Sequence, residues 1–291
     1  MRRKRILLLV IVILMLVSVF SCAAPEKSDI PLVLLTDYGT DDYRVPRLKG
    51  VIYNTFIEAI VIDATHGIAS YDIAAGAYVL GLTAKEFPKD VVFIAAVGAR
   101  STAEEKSLVL TTNKNQIFVA PDNGLLTYVI RDEGVKTVYE VTNQDLFDQP
   151  ISTLSSHYLL GKIGALVASG YKPEDVGPSV KAPVILDIQE SSIVDGKLTG
   201  SVVFIDHFGN CLTNITGETL NQYGIQSGDK VRIIITGNLL EAKIGNTYND
   251  VDIGELVIIV NSLGTLQLSK NKGSFAGTYG IKTGIKFEIE K

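Results

Sequence analysis

"PLVLLTDYGTDDYRVPRLKG", residues 31–50, is the stretch whose reading decides the fold. Pro31–Asp37 is apolar with little alternation, which reads as a strand covered on both faces. An acidic turn follows, carrying Asp37, Asp41 and Asp42. Arg44–Phe56 then reads as a helix, with Pro46 tolerable only in its first turn. The same unit recurs. "AIVIDAT" (59–65) and "VVFIAAV" (91–97) are further Val- and Ile-rich runs, separated by a helical stretch over 72–87. Asp72 is placed to cap that helix. Alternating strand and helix predict a βαβ sheet. More strands are expected at 107–112, 116–121 and 137–142, and a helix over 153–169.

The texture changes at "SGYKPEDVGPSVKAPV" (169–184), which is rich in Pro and Gly and reads as a linker. Beyond it come short β-runs separated by Gly, Asn and Asp: "GSVVFID", "KVRIIITG", "ELVIIVN" and "KFEIEK". These predict a small all-β domain, a barrel. The fold class is therefore α/β. A Rossmann-like α/β sandwich domain is expected over 30–180 and a smaller C-terminal β-barrel over 185–291.

The N-terminus is a separate matter. Arg2, Arg3, Lys4 and Arg5 precede an apolar stretch from Ile6 to Phe20, the layout of an export signal. It ends in "VFSC", which resembles the lipobox of bacterial lipoproteins. That resemblance implies a signal peptide over 1–22, cleavage before Cys22, lipid on its thiol, and a spacer over 23–29. The alternative is a plain membrane anchor. Either way the bulk of the chain is expected outside the cytoplasm, tethered to a membrane. The only other cysteine, Cys211, has no partner once Cys22 is lipidated, so no disulfide framework is expected. The net charge of -5 gives no support for a nucleic-acid partner.

Three carboxylates at a strand end have three readings. In an open α/β sheet, ligands bind beyond the carboxyl ends of the strands, and a carboxylate there commonly accepts from ribose hydroxyls. Asp37 suits that role, with Gly39 making the turn. Asp41 and Asp42 fall where a helix begins and negative charge is favoured. The third reading is a metal. "TDYGTDD" is similar to the calcium loop of nucleoside hydrolases, but Leu35 stands where that family has another Asp. A hard cation wants six or more oxygens. No metal is therefore expected, and a calcium-dependent enzyme like the nucleoside hydrolases stays as the lesser alternative.

A resemblance covering the whole mature chain is carried by four ordered blocks. "LTDYGTDDYRVPRLKG" (35–50) holds Asp37, Gly39, Asp42, Lys49 and Gly50. "IVIDATHGIASYDIAAGAYVL" (60–80) holds Asp63, Thr65 and His66. "FVAPDNGLL" (118–126) holds Pro121, Asp122, Asn123 and Gly124. "IDHFGNCLTNI" (205–215) holds Asp206, Phe208, Gly209, Asn210, Thr213 and Asn214. Together they resemble the S-adenosylmethionine hydroxide adenosyltransferases, which share their fold with fluorinating and chlorinating enzymes. "NSLGTLQLSKNKGSFA" (261–276) resembles the family segment that approaches adenine. The resemblance implies a homotrimer with a nucleoside-type ligand, S-adenosylmethionine or adenosine, bound between one subunit's large domain and its neighbour's barrel. Asp37 would hold the ribose hydroxyls, Asn210 the amino-acid end with Ser262 close by, and Asn271 the adenine edge. Asn210 also suits a turn residue, and "PDNG" a helix start capped by Asp122 or Asn123. His66 reads as structural.

The reaction implied is displacement at the ribose 5′ carbon by water, with methionine leaving. Positioning that water can supply about 7–11 kcal/mol, and a general base roughly 10²–10⁴-fold. In the family an Asp, an Arg and a His do this, in blocks resembling D-P-G-V-G-x-x-R and F-H-G-R-D. Here "AAVGARSTAEEKS" (95–107) puts Gly98 at the Asp position and Glu105 at the Arg position. "STLSSHYLLGK" (152–162) puts Ser155 or Ser156 at the His position. Two interpretations follow. Arg100, Glu104 or Glu105, and His157 form a rearranged set, or the pocket binds without catalysis.

Overall fold

The computed structural model describes residues 30–99 and 105–291. The export segment with Cys22, together with Arg100 and Glu104, lies outside the described residues. The N-terminal half is a six-stranded sheet: β1 (Leu32–Thr36), β2 (Val61–Thr65), β3 (Val92–Ala96), β4 (Ser107–Thr111), β5 (Ile117–Pro121) and β6 (Thr137–Glu140), in the order β2-β1-β3-β5-β4-β6. β2, β1, β3 and β5 are parallel; β4 runs antiparallel to both β5 and β6. Helices α1 (Arg44–Thr55), α2 (Ile73–Glu86), α3 (Thr127–Glu133) and α4 (Ser156–Ala168) cover it.

β1 shows why both faces are covered. Alternate residues of a strand point to opposite faces. Leu32 and Leu34 pack into one core with Leu48 and Ile52 of α1 and Leu160 and Ile163 of α4. Val33 and Leu35 enter the other, with Leu80 of α2, Phe93 and Phe118. Asp72 caps α2, its carboxylate accepting from Ala75 N at 3.0 Å. β2 departs from expectation. Read as a buried strand, it is the sheet's edge, and Ile62, Asp63 and Ala64 in its centre are exposed. An edge strand has a neighbour on one side only, so an apolar run does not by itself make it buried.

The stretch read as a linker is stitched to the sheet. Val176 is fully buried, Glu140 N donates to Pro178 O, and Thr142 N donates to Val176 O. Farther on, Val184 N donates to Asp122 and Leu186 N to Thr127. Asp122 therefore pins the connection instead of capping α3, which begins only at Thr127.

The C-terminal half is a closed barrel. Its strands are β8 (Lys197–Ile205), β9 (Cys211–Thr216), β10 (Lys230–Ile235), β11 (Asn238–Gly245), β12 (Leu256–Val260), β13 (Thr265–Lys270) and β14 (Lys286–Glu290). They run β14-β10-β11-β12-β13-β9-β8, and β8 pairs back to β14, closing seven strands; β7 (Ser192–Val194) extends the rim by pairing with β8. Short helices α5 (Gly217–Gln222) and α6 (Phe275–Tyr279) lie between its strands in sequence. β10 shows the period-two pattern of a small barrel: Val231, Ile233 and Ile235 are buried, while Lys230 and Arg232 are exposed. Cys211 is buried in the same core, which pushes its thiol up to about 12 and leaves it inert.

Candidate functional site

Asp37 emerges from the end of β1, its N–H bonded to Ala96 O of β3. Its Oδ2 accepts two backbone N–H groups, from Tyr71 and from Gly98, each at 3.0 Å. Those donors come from loops after two different strands, and both have left-handed backbones, φ 66° at Tyr71 and 62° at Gly98. For Gly98 this conformation carries no steric penalty. A Cβ there would come within 3.1 Å of Ile73. Gly98 thus stands where the family resemblance calls for Asp, and supplies a backbone donor to Asp37. Tyr71 adopts the conformation against its preference, as residues at binding sites often do. Oδ1 of Asp37 receives no hydrogen bond among the described residues.

The loop is locked from beneath. Thr36 Oγ1 lies 2.9 Å from His66 Nδ1 and accepts from Tyr38 N, while His66 O accepts from Gly39 N at 2.7 Å. His66 Nε2 lies 3.1 Å from Asp63, which also takes Lys49 Nζ at 2.6 Å. Partial burial works against the Asp63 charge, but the Lys49 hydrogen bond and the nearby His66 imidazole outweigh it and hold the carboxyl below its usual range. His66 is therefore a tie between β2 and the Asp37 loop. The three aspartates diverge. Asp42 accepts from Arg44 N at 2.7 Å and pairs with the Arg44 guanidinium, supporting the start of α1, and Asp41 is exposed. Among the described residues no group of three acidic, His or Cys side chains is placed to hold a metal.

Above Asp37 opens a cleft of about 730 Å³. Its walls are Asp37, Tyr38, Asp42, Arg44, Ser70, Tyr71, Gly98, Ala99 and residues 152–156. The lining is rich in hydroxyls. Tyr38 OH lies 2.9 Å from Ser156 Oγ, and burial pushes the phenol up to about 12, so it stays protonated. Ser155 precedes α4 and lines the same cleft, its Oγ 3.3 Å from Nε2 of buried His157. Burial first, then the nearby Arg47 and Arg44 charges, lowers the His157 pKa despite Asp42. Glu105 lines a neighbouring pocket of about 330 Å³ with Lys106 and Glu140; Ser152 borders both. The structure therefore does not bring Glu105 into the Asp37 cleft beside Ser155.

The barrel candidates lie elsewhere. Asn210 is buried in the β8–β9 turn; its Nδ2 donates to Asp206 Oδ2 at 2.8 Å and reaches Tyr248 OH at 3.5 Å. Tyr248 OH accepts from Gln267 Nε2 at 2.7 Å. Asn271 is buried, its amide donating to Val251 O at 2.9 Å. Ser262 is exposed in the turn after β12. None of the three lines the Asp37 cleft of its own chain. Sequence reasoning missed Tyr38, Ser70, Tyr71 and Thr153 as lining residues. The hydroxyl run in "STLSS" was a visible signal for Thr153, whereas nothing in the sequence announces the φ of Tyr71.

Similarity to known proteins extends over both halves of the chain. Residues 32–177 match the SAM hydroxide adenosyltransferase N-terminal domain and residues 200–288 its C-terminal domain. A protein of Methanocaldococcus jannaschii named (R)-S-adenosyl-L-methionine hydrolase is 31% identical, over 82% of this chain and 88% of its own. A protein of Nocardia brasiliensis named fluorinase is 28% identical, over 89% of this chain and 96% of its own. The crystal structure of an uncharacterized conserved protein from Thermotoga maritima superposes with a TM-score of 0.82 at 29% identity, covering 89% of this chain and all of that one. With both domains matched in order, the chain belongs to the SAM hydroxide adenosyltransferase family.

Proposed function

We propose that this protein binds S-adenosylmethionine or adenosine in the Asp37 cleft, and that its chemistry is impaired or altered relative to hydrolysis of S-adenosylmethionine to adenosine and methionine. The observation that carries the reading is the Asp37 carboxylate. One oxygen is immobilised by two backbone donors, and the other bears no hydrogen bond among the described residues. It sits where ribose hydroxyls are commonly accepted. In this reading the protein is a homotrimer, and Asn210, Ser262 and Asn271 of a neighbouring copy complete the site. In support, the cleft's walls come entirely from the α/β half, while Phe208 and Leu263 beside the barrel candidates are exposed apolar groups. Altered chemistry is supported by the residues at the water-activating positions: Gly98 as a backbone donor, Glu105 in a separate pocket, and Ser155 or Ser156 in place of a base.

A second reading is a non-catalytic nucleoside-binding lipoprotein, held outside the cytoplasm by lipid on Cys22. The basic and apolar N-terminus favours it, because an exported protein does not meet cytoplasmic S-adenosylmethionine. Both readings are tested together on the full-length protein in mild detergent. Calorimetry measures binding of S-adenosylmethionine and adenosine, and chromatography measures release of adenosine and methionine. Asp37→Ala is expected to weaken adenosine on the order of 100-fold, since hydrogen bonds to a charged group contribute about 1.5–3 kcal/mol each. Equal affinity in the parent protein and the variant would sink the ribose-clamp reading.

A further inference from the structure

Ser155 occupies the N-cap position of α4, where a serine oxygen ordinarily accepts from the backbone N–H two or three residues on. Here its side chain makes no such cap bond. The hydroxyl lies instead 3.3 Å from His157 Nε2 and lines the cleft that Asp37 floors. Its neighbour Ser156 is engaged by Tyr38 OH. His157 is buried behind Ser155 and does not line the cleft.

We propose that Ser155 and His157 form a two-residue proton relay, in which Ser155 meets a water in the cleft and His157 receives the proton through it. The proposal rests on the ligand reading above and names the group that replaces the family's direct base. The step balances. The water oxygen bonds to the ribose 5′ carbon as the carbon–sulfur bond breaks, and methionine leaves as a neutral thioether. The water's proton passes to Ser155 Oγ while the serine's own proton passes to His157 Nε2. The positive charge lost at sulfur is regained on the imidazole.

The surroundings suit an acceptor. Nε2 must be unprotonated to take the serine proton, and the groups facing His157 keep it so. Arg44 and Arg47 of α1 disfavour a second positive charge, and so does burial; Asp42 alone favours it. The imidazole also lies in the first turn of α4, at the positive end of the helix dipole. A 3.3 Å contact is long, as catalytic hydrogen bonds often are without substrate.

The test uses full-length protein in mild detergent with S-adenosylmethionine, measuring release of adenosine against pH and adenosine affinity by calorimetry. The parent protein should turn over with a rate that falls on acidification, at a pH below the ordinary histidine range, as His157 becomes charged. Ser155→Ala and His157→Gln should each lose about 10²-fold or more in rate. Adenosine affinity should stay within about threefold in both. Ser155→Thr, which keeps the hydroxyl, should recover most of the rate. Ser155 is exposed, so its variants test the relay even if His157→Gln folds poorly. Full rate or an unchanged acid limb in Ser155→Ala overturns the relay. So does tight binding of S-adenosylmethionine by the parent protein with no adenosine released. Absence of any binding overturns the relay and the ligand reading together.

Discussion

Asp37 and Asp206 are both aspartates at strand ends in segments that resemble one family, yet their surroundings differ. Asp37 gives one oxygen to two backbone donors and leaves the other toward an open cleft. Asp206 spends both. Oδ1 accepts from Phe208 N and Asn210 N, and Oδ2 accepts from the Asn210 amide. The same side chain is a proposed recognition group in the first place and a turn-former in the second. What separates them is where the local backbone donors point. After β1, the donors come from remote loops and reach only one face of the carboxylate. In the β8–β9 turn they come from the next four residues and surround it. Asn210 inherits the consequence, since its amide is already committed to Asp206 within one chain.

The largest effect expected on this contrast comes from Gly209→Ala. Gly209 has φ 82°, and a Cβ there would run into the Ser274 side chain. Left-handed backbone costs a residue with a Cβ roughly 1–2 kcal/mol and overpacking about 1–3 more. A fall in stability of about 2–5 kcal/mol should appear in denaturant unfolding, with adenosine binding at the Asp37 half little changed. A variant as stable as the parent would mean that the turn is looser than its contacts imply.

Asn210→Ala sharpens the comparison directly. It leaves Asp206 Oδ2 without its amide donor, at a cost of about 1–3 kcal/mol. If Asn210 only shapes the turn, unfolding shifts and ligand affinity does not. If a neighbouring copy's Asn210 grips the ligand, S-adenosylmethionine affinity drops as well, and more than adenosine affinity, because only the former has an amino-acid end. Calorimetry with the two ligands separates the cases.

The smallest effect concerns the Asp63 tie beneath the Asp37 loop. Its folded pKa lies below the ordinary value of 3.8, so its contribution to stability is present above that value and lost as pH falls through the folded pKa. Asp63→Asn should remove that acid-dependent component from a Tm-versus-pH profile below about pH 4 and leave the neutral region nearly flat. The pair is exposed enough that a modest shift is expected. An acid profile identical to the parent's would assign the acid sensitivity to other carboxylates.

Much of this was legible beforehand. The Val- and Ile-rich runs located β1, β3 and β5, and Asp72 announced the start of α2. Gly- and Asn-punctuated runs after residue 184 announced a barrel. Asp37 stood out because a carboxylate ending a buried strand has few structural uses. The edge position of β2 was hidden, because an apolar run reads alike in the centre and at the rim. The apparent linker over 169–184 was misread because Pro and Gly mark irregular backbone, not its attachment. Val176 shows that such backbone can be pinned as firmly as a strand.

The site divides the same way. Sequence alone determined the alternation of strands and helices in the N-terminal half, the carboxylate at the end of β1, and the residue types at 98, 105 and 155–156. Those depend on residue type and local periodicity, which a chain carries in one dimension. Only the tertiary structure decided that Gly98 and Tyr71 aim their N–H groups at Asp37, that Glu105 falls in another pocket, and that Ser155 turns from its helix toward His157. Each of these depends on backbone angles and on the packing of loops distant in sequence. Hydrogen bonds act over about 3 Å, and folding, not spacing along the chain, brings such groups within that reach.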